Sequence, residues 1–187
     1  MKTGITGGIG SGKSYVCQRL KLRGIDVYDC DTAAKRLIRT SPVIRKALTT
    51  LIGPDTYQPD GTLNKAAVAQ FLLASEDNAQ AIDRIVHPAV FDDFTASGME
   101  WMESAILFES GIHKLVDRVV VVTAPDEVRI QRVMQRDGIC REKVQEWMQR
   151  QWPQERVRQQ SDFEIVNDGQ SDIDAQIARL LNDGTTE

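Results

Sequence analysis

Three groups of side chains in this sequence have the types and spacing for phosphate chemistry. They are a lysine and serine closing a glycine-rich run, two aspartates two positions apart, and arginines gathered toward the carboxyl end. The run Gly7-Gly8-Ile9-Gly10-Ser11-Gly12-Lys13-Ser14 fits G-x-x-x-x-G-K-[ST] at every fixed position. Glycines let the backbone wrap an anion and turn its N–H groups toward it, here at Gly8, Gly10, Ser11 and Gly12. Lys13 then reaches the β and γ phosphates, and the Ser14 hydroxyl ligates Mg²⁺. The motif implies a bound nucleoside triphosphate and by itself names no reaction.

Asp29 and Asp31 follow an apolar run, Ile25-Asp26-Val27-Tyr28. Residues two apart at a strand end project the same way, so one of the two is suited to orient and deprotonate an attacking hydroxyl. Asp31 also suits a helix N-cap, a role that does not exclude catalysis. Glu109 closes a second apolar run and is suited to hold substrate or a magnesium-bound water. From Arg129 to Arg158 there are eight basic residues against four acidic ones, so this segment carries +4 and the rest of the chain −8, for a net charge of −4. That overall balance argues against a general nucleic-acid surface. Beside a phosphate loop, a basic segment suits a lid over phosphates.

The elements that must position these groups are legible from periodicity. Ile5-Thr6 ends a strand before the loop, and Val16 and Leu20 give the next segment helical spacing. Strands are expected at Ile25–Tyr28, Ser104–Phe108, Val119–Thr123 and Phe163–Val166. The runs at 104–108 and 119–123 are continuously apolar, as buried parallel strands are. Between the second and third strands lies a helical stretch. One helix is expected from near Thr32, and others open at Ser41-Pro42, Asn64, Asn78 and Pro88. Pro125 and Ser171 open two further helices, and a basic helical segment runs to about Trp152. Strands alternating with helices give an α/β fold with a mostly parallel sheet flanked by helices. The expected organisation is a single P-loop unit with its core at residues 1–40, 100–135 and 159–187. A helical acceptor-binding insertion falls at about 41–99 and a basic lid at about 136–158.

No apolar run approaches the roughly 18 residues of a membrane span, and Met1-Lys2-Thr3 leads straight into the first strand. A cytoplasmic protein is therefore expected, with neither membrane nor nucleic acid as a partner, as a monomer or weak homo-oligomer. Three scattered cysteines, Cys17, Cys30 and Cys140, point to reduced thiols rather than a disulfide framework or zinc site. A GTP-driven switch is disfavoured, because no Asp is followed three residues later by Gly and no Asn-Lys-x-Asp occurs. A large motor needs more chain than 187 residues. A small-molecule kinase uses a triphosphate loop, an acceptor-binding insertion and a basic lid, and the chain has a candidate for each. A non-enzymatic nucleotide-binding module is the contrasting reading.

Thr6 to Ser14, Asp29-Cys30-Asp31, Asp60-Gly61, His87-Pro88, Leu107-Phe108-Glu109, Arg136-Asp137, Gln151 and Asn167 occur in the order and spacing of dephospho-coenzyme A kinases. The resemblance runs essentially end to end. It implies a P-loop, nucleotide-kinase-like fold and Mg²⁺-dependent transfer of the ATP γ-phosphate to the ribose 3′-hydroxyl of dephospho-CoA. Another P-loop small-molecule or nucleotide kinase is the alternative. Carried across residue by residue, the resemblance makes Asp31 the candidate base with Asp29 in support. Lys13 and Ser14 keep their loop roles, Arg136 and Arg141 become lid residues covering ATP, and His87 and Glu109 join the acceptor pocket. Tyr15 stands where the family has Thr, which leaves its backbone N–H for the α-phosphate. Ala105-Ile106 replaces Pro-Leu, and Cys30 replaces Ala. Lys13, on a surface loop, is expected to contribute little to the stability of the fold.

Overall fold

The computed structural model describes residues 1–75 and 77–183. β1 (Thr3–Thr6) passes through the glycine-rich loop into α1 (Lys13–Lys21). β2 (Val27–Asp29) precedes α2 (Cys30–Thr40), α3 (Pro42–Ile52), α4 (Lys65–Ala74) and α5 (Asp77–Ser97). Then come β3 (Trp101–Glu103), β4 (Arg118–Thr123), α6 (Asp126–Asp137), α7 (Arg141–Gln149), α8 (Gln154–Gln159), β5 (Phe163–Val166) and α9 (Ile173–Asp183). These elements form two compact units. One combines Met1–Tyr28 with the chain from Met99 onward, and the other is Asp29–Gly98.

In the first unit the strands form one sheet in the order β2-β3-β1-β4-β5. β1 runs parallel to β3 and β4, and β4 parallel to β5. The chain leaves β1 toward β2 on one side and later crosses to β4 on the other. The carboxyl end of β1 is therefore a switch point, where open α/β sheets bind ligands. Both faces of the sheet must be covered, which is why β1 is buried along its whole length and β4 from Val119 on. Val16 and Leu20 of α1 and Ile177 and Leu180 of α9 meet Ile5, Val120, Val122 and Ile165 in the core. Asp174 ties these two helices together at their edge, accepting from Arg19 Nε at 3.0 Å and pairing with Arg23 at 2.7 Å. α9 is capped by Asp172, which accepts from Ala175 N at 3.0 Å, while Ser171 bonds Asp168 instead.

The third strand differs from expectation. β3 is Trp101–Glu103, with Thr3 opposite Trp101 and Ile5 opposite Glu103. The apolar run expected as strand, Ser104–Phe108, lies in turns. Ser104 Oγ accepts from Ile106 N at 3.3 Å, and Ser110 N donates to Ile106 O at 2.9 Å. Leu107 and Phe108 are buried from this turn while Ile106 faces outward. A short apolar run reports burial, and it cannot by itself distinguish a strand from another buried segment.

In the helical unit, α2 and α3 both pack on α5. α2, grouped with the sheet by its sequence position, thus belongs with the helices. Ser41 and Asn64 cap α3 and α4 as their types predict. Two helices expected to open at Asn78 and Pro88 are one continuous helix, with Pro88 inside it. Ile82, Val86, Val90 and Phe94 recur every fourth residue, so the apolar stripe stays in phase across the proline. Packing along that stripe outweighs the backbone hydrogen bond that a proline removes. Phe94 is fully buried, so Phe94→Ala is expected to lower stability by about 3–5 kcal/mol in urea unfolding. A loss below about 1 kcal/mol would mean that the unit repacks around the gap.

Candidate active site

The glycine-rich loop leaves the buried end of β1 and closes on the first turn of α1, with Gly12 as N-cap at φ 87°. Gly10, at φ 78°, is also left-handed. At both positions neighbours, as well as backbone angle, demand glycine. A β-carbon on Gly10 would lie 2.5 Å from the Arg129 carbonyl oxygen, and one on Gly12 would lie 2.0 Å from Asn167 Nδ2. The first-turn N–H groups of a helix lack intrahelical partners and favour an anion. Ser14 and Tyr15 sit in this turn with exposed side chains. The Ser14 hydroxyl is a hard oxygen donor of the kind Mg²⁺ takes.

The loop carbonyls are held from behind. Arg132 NH1 lies 3.4 Å from both Gly10 O and Ser11 O, and its NH2 donates to Asn167 Oδ1 at 3.2 Å. Asn167, anchored by its N–H to Thr123 O at 2.8 Å, donates from Nδ2 to Ser11 O at 2.9 Å. Each carbonyl is trans to the following N–H across a planar peptide. Drawing the carbonyls of Gly10 and Ser11 toward Arg132 and Asn167 therefore turns the N–H groups of Ser11 and Gly12 the other way. Ser11 N–H closes a turn onto Gly8 O at 3.0 Å. Arg129 is 5% exposed and donates to Asp126 Oδ1 at 3.0 Å. Burial pushes its pKa down while Asp126 opposes that shift.

Lys13 pairs with Glu103, the last residue of β3, and both side chains are nearly buried, at 14% and 13% exposure. Cys17 Sγ lies 3.5 Å from the same carboxylate. Glu103 places a carboxylate on the lysine of the loop, a role the sequence reading did not assign. It was missed because the apolar residues after it drew the strand forward. Glu109, expected at a strand end, lies in the turn and accepts from Trp152 N at 3.2 Å. The Trp152 ring stacks on Phe108 with centroids 5.9 Å apart, and Arg156 lies over it at 3.4 Å.

Two other expected site residues hold carboxylates at the surface. Arg136 is exposed and bonds its neighbour Asp137 at 2.7 and 2.8 Å. Arg141 forms a two-pronged pair with Glu127 at 2.8 Å. The Arg136 guanidinium holds the Asp137 carboxyl below the usual range, as Arg141 does Glu127. The arginines bonded to the phosphate loop are Arg129 and Arg132, two turns and one turn of α6 before Arg136. The basic character of this segment was visible in the sequence, but which of its arginines meet the loop was not.

In the helical unit Asp29 and Asp31 take different roles. Asp29 is the N-cap of α2, accepting from Thr32 N at 2.9 Å and Thr32 Oγ1 at 2.6 Å. Asp31, the residue expected as a cap, is exposed in the first turn. His87 pairs with Asp83 at 3.5 Å and stacks on Phe91 with ring centroids 6.3 Å apart.

A phosphate loop running from the middle strand of a 2-3-1-4-5 parallel sheet into a helix defines a P-loop NTPase fold of the nucleotide-kinase type. Within that class, the family model for dephospho-CoA kinase matches residues 1–172, and the chain belongs to the dephospho-CoA kinase family. It is 40% identical over 188 residues to a dephospho-CoA kinase of Bacteroides fragilis, covering 97% of this chain and 91% of that protein. Among solved structures, TT1252 from Thermus thermophilus superposes with a TM-score of 0.86 at 28% identity, covering 100% of this chain and 98% of that one. The dephospho-CoA kinase from Campylobacter jejuni shares the fold with a TM-score of 0.67 at 18% identity, over the full length of both chains.

Because the Lys13–Glu103 pair is nearly buried, Lys13 bears on the stability of the fold, contrary to the sequence expectation. Lys13→Ala is expected to cost about 1–3 kcal/mol in chemical unfolding by leaving the Glu103 carboxylate unpaired. Adding Glu103→Gln should recover most of that loss; no recovery would place the cost elsewhere.

Proposed function

We infer that this chain transfers the γ-phosphoryl group of ATP to the 3′-hydroxyl of dephospho-CoA, giving CoA and ADP. The observation that carries this reading is the phosphate loop at the switch point of the sheet, in a chain whose dephospho-CoA kinase match extends over residues 1–172. The loop N–H groups and Lys13 hold the β and γ phosphates. Ser14 would hold Mg²⁺, which when bound neutralises phosphate charge. Tyr15 follows Ser14 at the α-phosphate end of the loop, with its N–H donating to Gly12 O at 3.0 Å within the first turn. Glu103 keeps the Lys13 ammonium in place until the triphosphate, with its greater charge, takes it over.

Asp31 accepts the proton of the 3′-hydroxyl as that oxygen attacks the γ-phosphorus in line and the bond to the ADP oxygen breaks. The capping geometry favours Asp31 over Asp29, because both Asp29 oxygens are engaged by Thr32. His87 and Glu109 contribute to acceptor binding. Arg136 and Arg141 exchange their surface carboxylates for phosphate when ATP is bound, an exchange that costs little because exposed ion pairs are weak. Among the described residues no helix is long and apolar enough to cross a membrane. The proposed setting is the cytoplasm, with the protein a monomer or weak homo-oligomer that has ATP and dephospho-CoA as its partners.

An ADP-release assay offering dephospho-CoA, AMP and shikimate separately tests the acceptor. Turnover with dephospho-CoA alone is expected, and faster turnover with either of the others overturns the assignment. Asp31→Asn should retain ADP binding and lose roughly 10²-fold or more in kcat. Asp29→Asn should lose far less, because Asn caps a helix as well as Asp; the reverse order would make Asp29 the base. Lys13→Ala should cost at least roughly 10²-fold in turnover.

A further inference from the structure

Ile9, in the middle of the phosphate loop, is held at all of its parts by the segment that follows β4. Its N–H donates to Gln151 Oε1 at 2.8 Å, and its carbonyl accepts from Arg129 Nε at 3.0 Å. Its side chain packs against the buried cluster of Ile130, Val133 and Val144 between α6 and α7, as Met148 also does. Gln151 lies in the α7–α8 connection, next to Trp152. The Trp152 N–H is in turn taken by Glu109, and its ring is pressed on Phe108. The α6–α8 segment thus grips one residue of the loop through an apolar plug and two hydrogen bonds, from the stretch of the chain where basic residues outnumber acidic ones.

The geometry points to Ile9 and Gln151 as positioning residues for nucleotide binding, which set the orientation of the loop peptides from behind without touching the nucleotide. The inference rests on the reading of this loop as the ATP site. Fixing the Ile9 carbonyl on Arg129 turns the next N–H, that of Gly10, to the opposite side. Fixing the Ile9 N–H on Gln151 removes that donor from the phosphate side and settles which amides remain for the anion. The hydrophobic plug makes the arrangement costly to leave, because freeing Ile9 exposes apolar surface as well as breaking both bonds. An apolar residue is required here, in a loop whose other side chains are absent, small or cationic.

The test compares Ile9→Ala, Ile9→Val and Gln151→Met, a swap that keeps length and removes the acceptor, singly and as Ile9→Ala/Gln151→Met. Kd for ADP is read by calorimetry and KM for ATP and dephospho-CoA by steady-state kinetics. Ile9→Ala and Gln151→Met should each raise Kd for ADP and KM for ATP roughly tenfold, with KM for dephospho-CoA within about twofold and Ile9→Val near wild type. The double variant should lose less than the product of the single losses, because both act on one peptide. A merely structural role would lower the thermal midpoint and leave Kd for ADP unchanged. Folded variants that bind ADP like the wild type overturn the inference, and Gln151→Met decides alone if Ile9→Ala does not fold. Failure of the wild type to bind ADP would instead overturn the reading of the loop, and this inference with it.

Discussion

A backbone that presents N–H groups to a triphosphate has to send its carbonyls somewhere else, and in this protein that somewhere is built from side chains. The peptide plane allows no compromise, because carbonyl and amide point in opposite directions. Arg129, Arg132 and Asn167 accommodate the carbonyls of Ile9, Gly10 and Ser11. Those three side chains come from α6 and from the residue after β5, so the loop is shaped by the far side of the sheet as much as by its own glycines. The close approach explains the glycines in turn: a β-carbon at Gly10 or Gly12 would run into Arg129 or Asn167. Sheet order, helix placement and loop composition are three consequences of one requirement.

Charge is arranged with the same economy. The chain as a whole is acidic, with a net charge of −4, yet the groups against the loop are cationic. Arg129 stays ionised despite its burial, because a guanidinium does not lose its proton at any ordinary pH, and Asp126 offsets part of the desolvation. Lys13 is held by Glu103 with little of its side chain exposed. An ammonium already stripped of much of its hydration pays less of that cost again when phosphate arrives. The exposed pairs Arg136–Asp137 and Arg141–Glu127 are of the other sort, screened by solvent and exchangeable.

Much of this was legible in the sequence. The loop motif, the parallel α/β architecture, β4 and β5, and the caps at Ser41 and Asn64 followed from residue types with few alternatives. Where the reading missed, a longer-range term had decided the outcome. The run Ile106-Leu107-Phe108 is apolar because the turn is buried, and β3 was set by pairing of Trp101–Glu103 with β1, which no local pattern encodes. Pro88 reads as a helix start, but the four-residue recurrence from Ile82 to Phe94 carries the helix through it. Asp29 and Asp31 are equally good caps by type, and only the position of Thr32 distinguishes them. Among the arginines, composition gave the right segment, and the phase of α6 against the loop selected Arg129 and Arg132.

The ring stack behind the loop has an optical consequence. Trp152 lies flat against Phe108 and beneath the Arg156 guanidinium, in the residue next to Gln151, while Trp147 packs against the same apolar cluster as Ile9. Indole emission responds to a cation over the ring and to the polarity of its surroundings. The protein therefore carries built-in chromophores on the elements that grip its phosphate loop, so that movement there registers as a change of light without any added label.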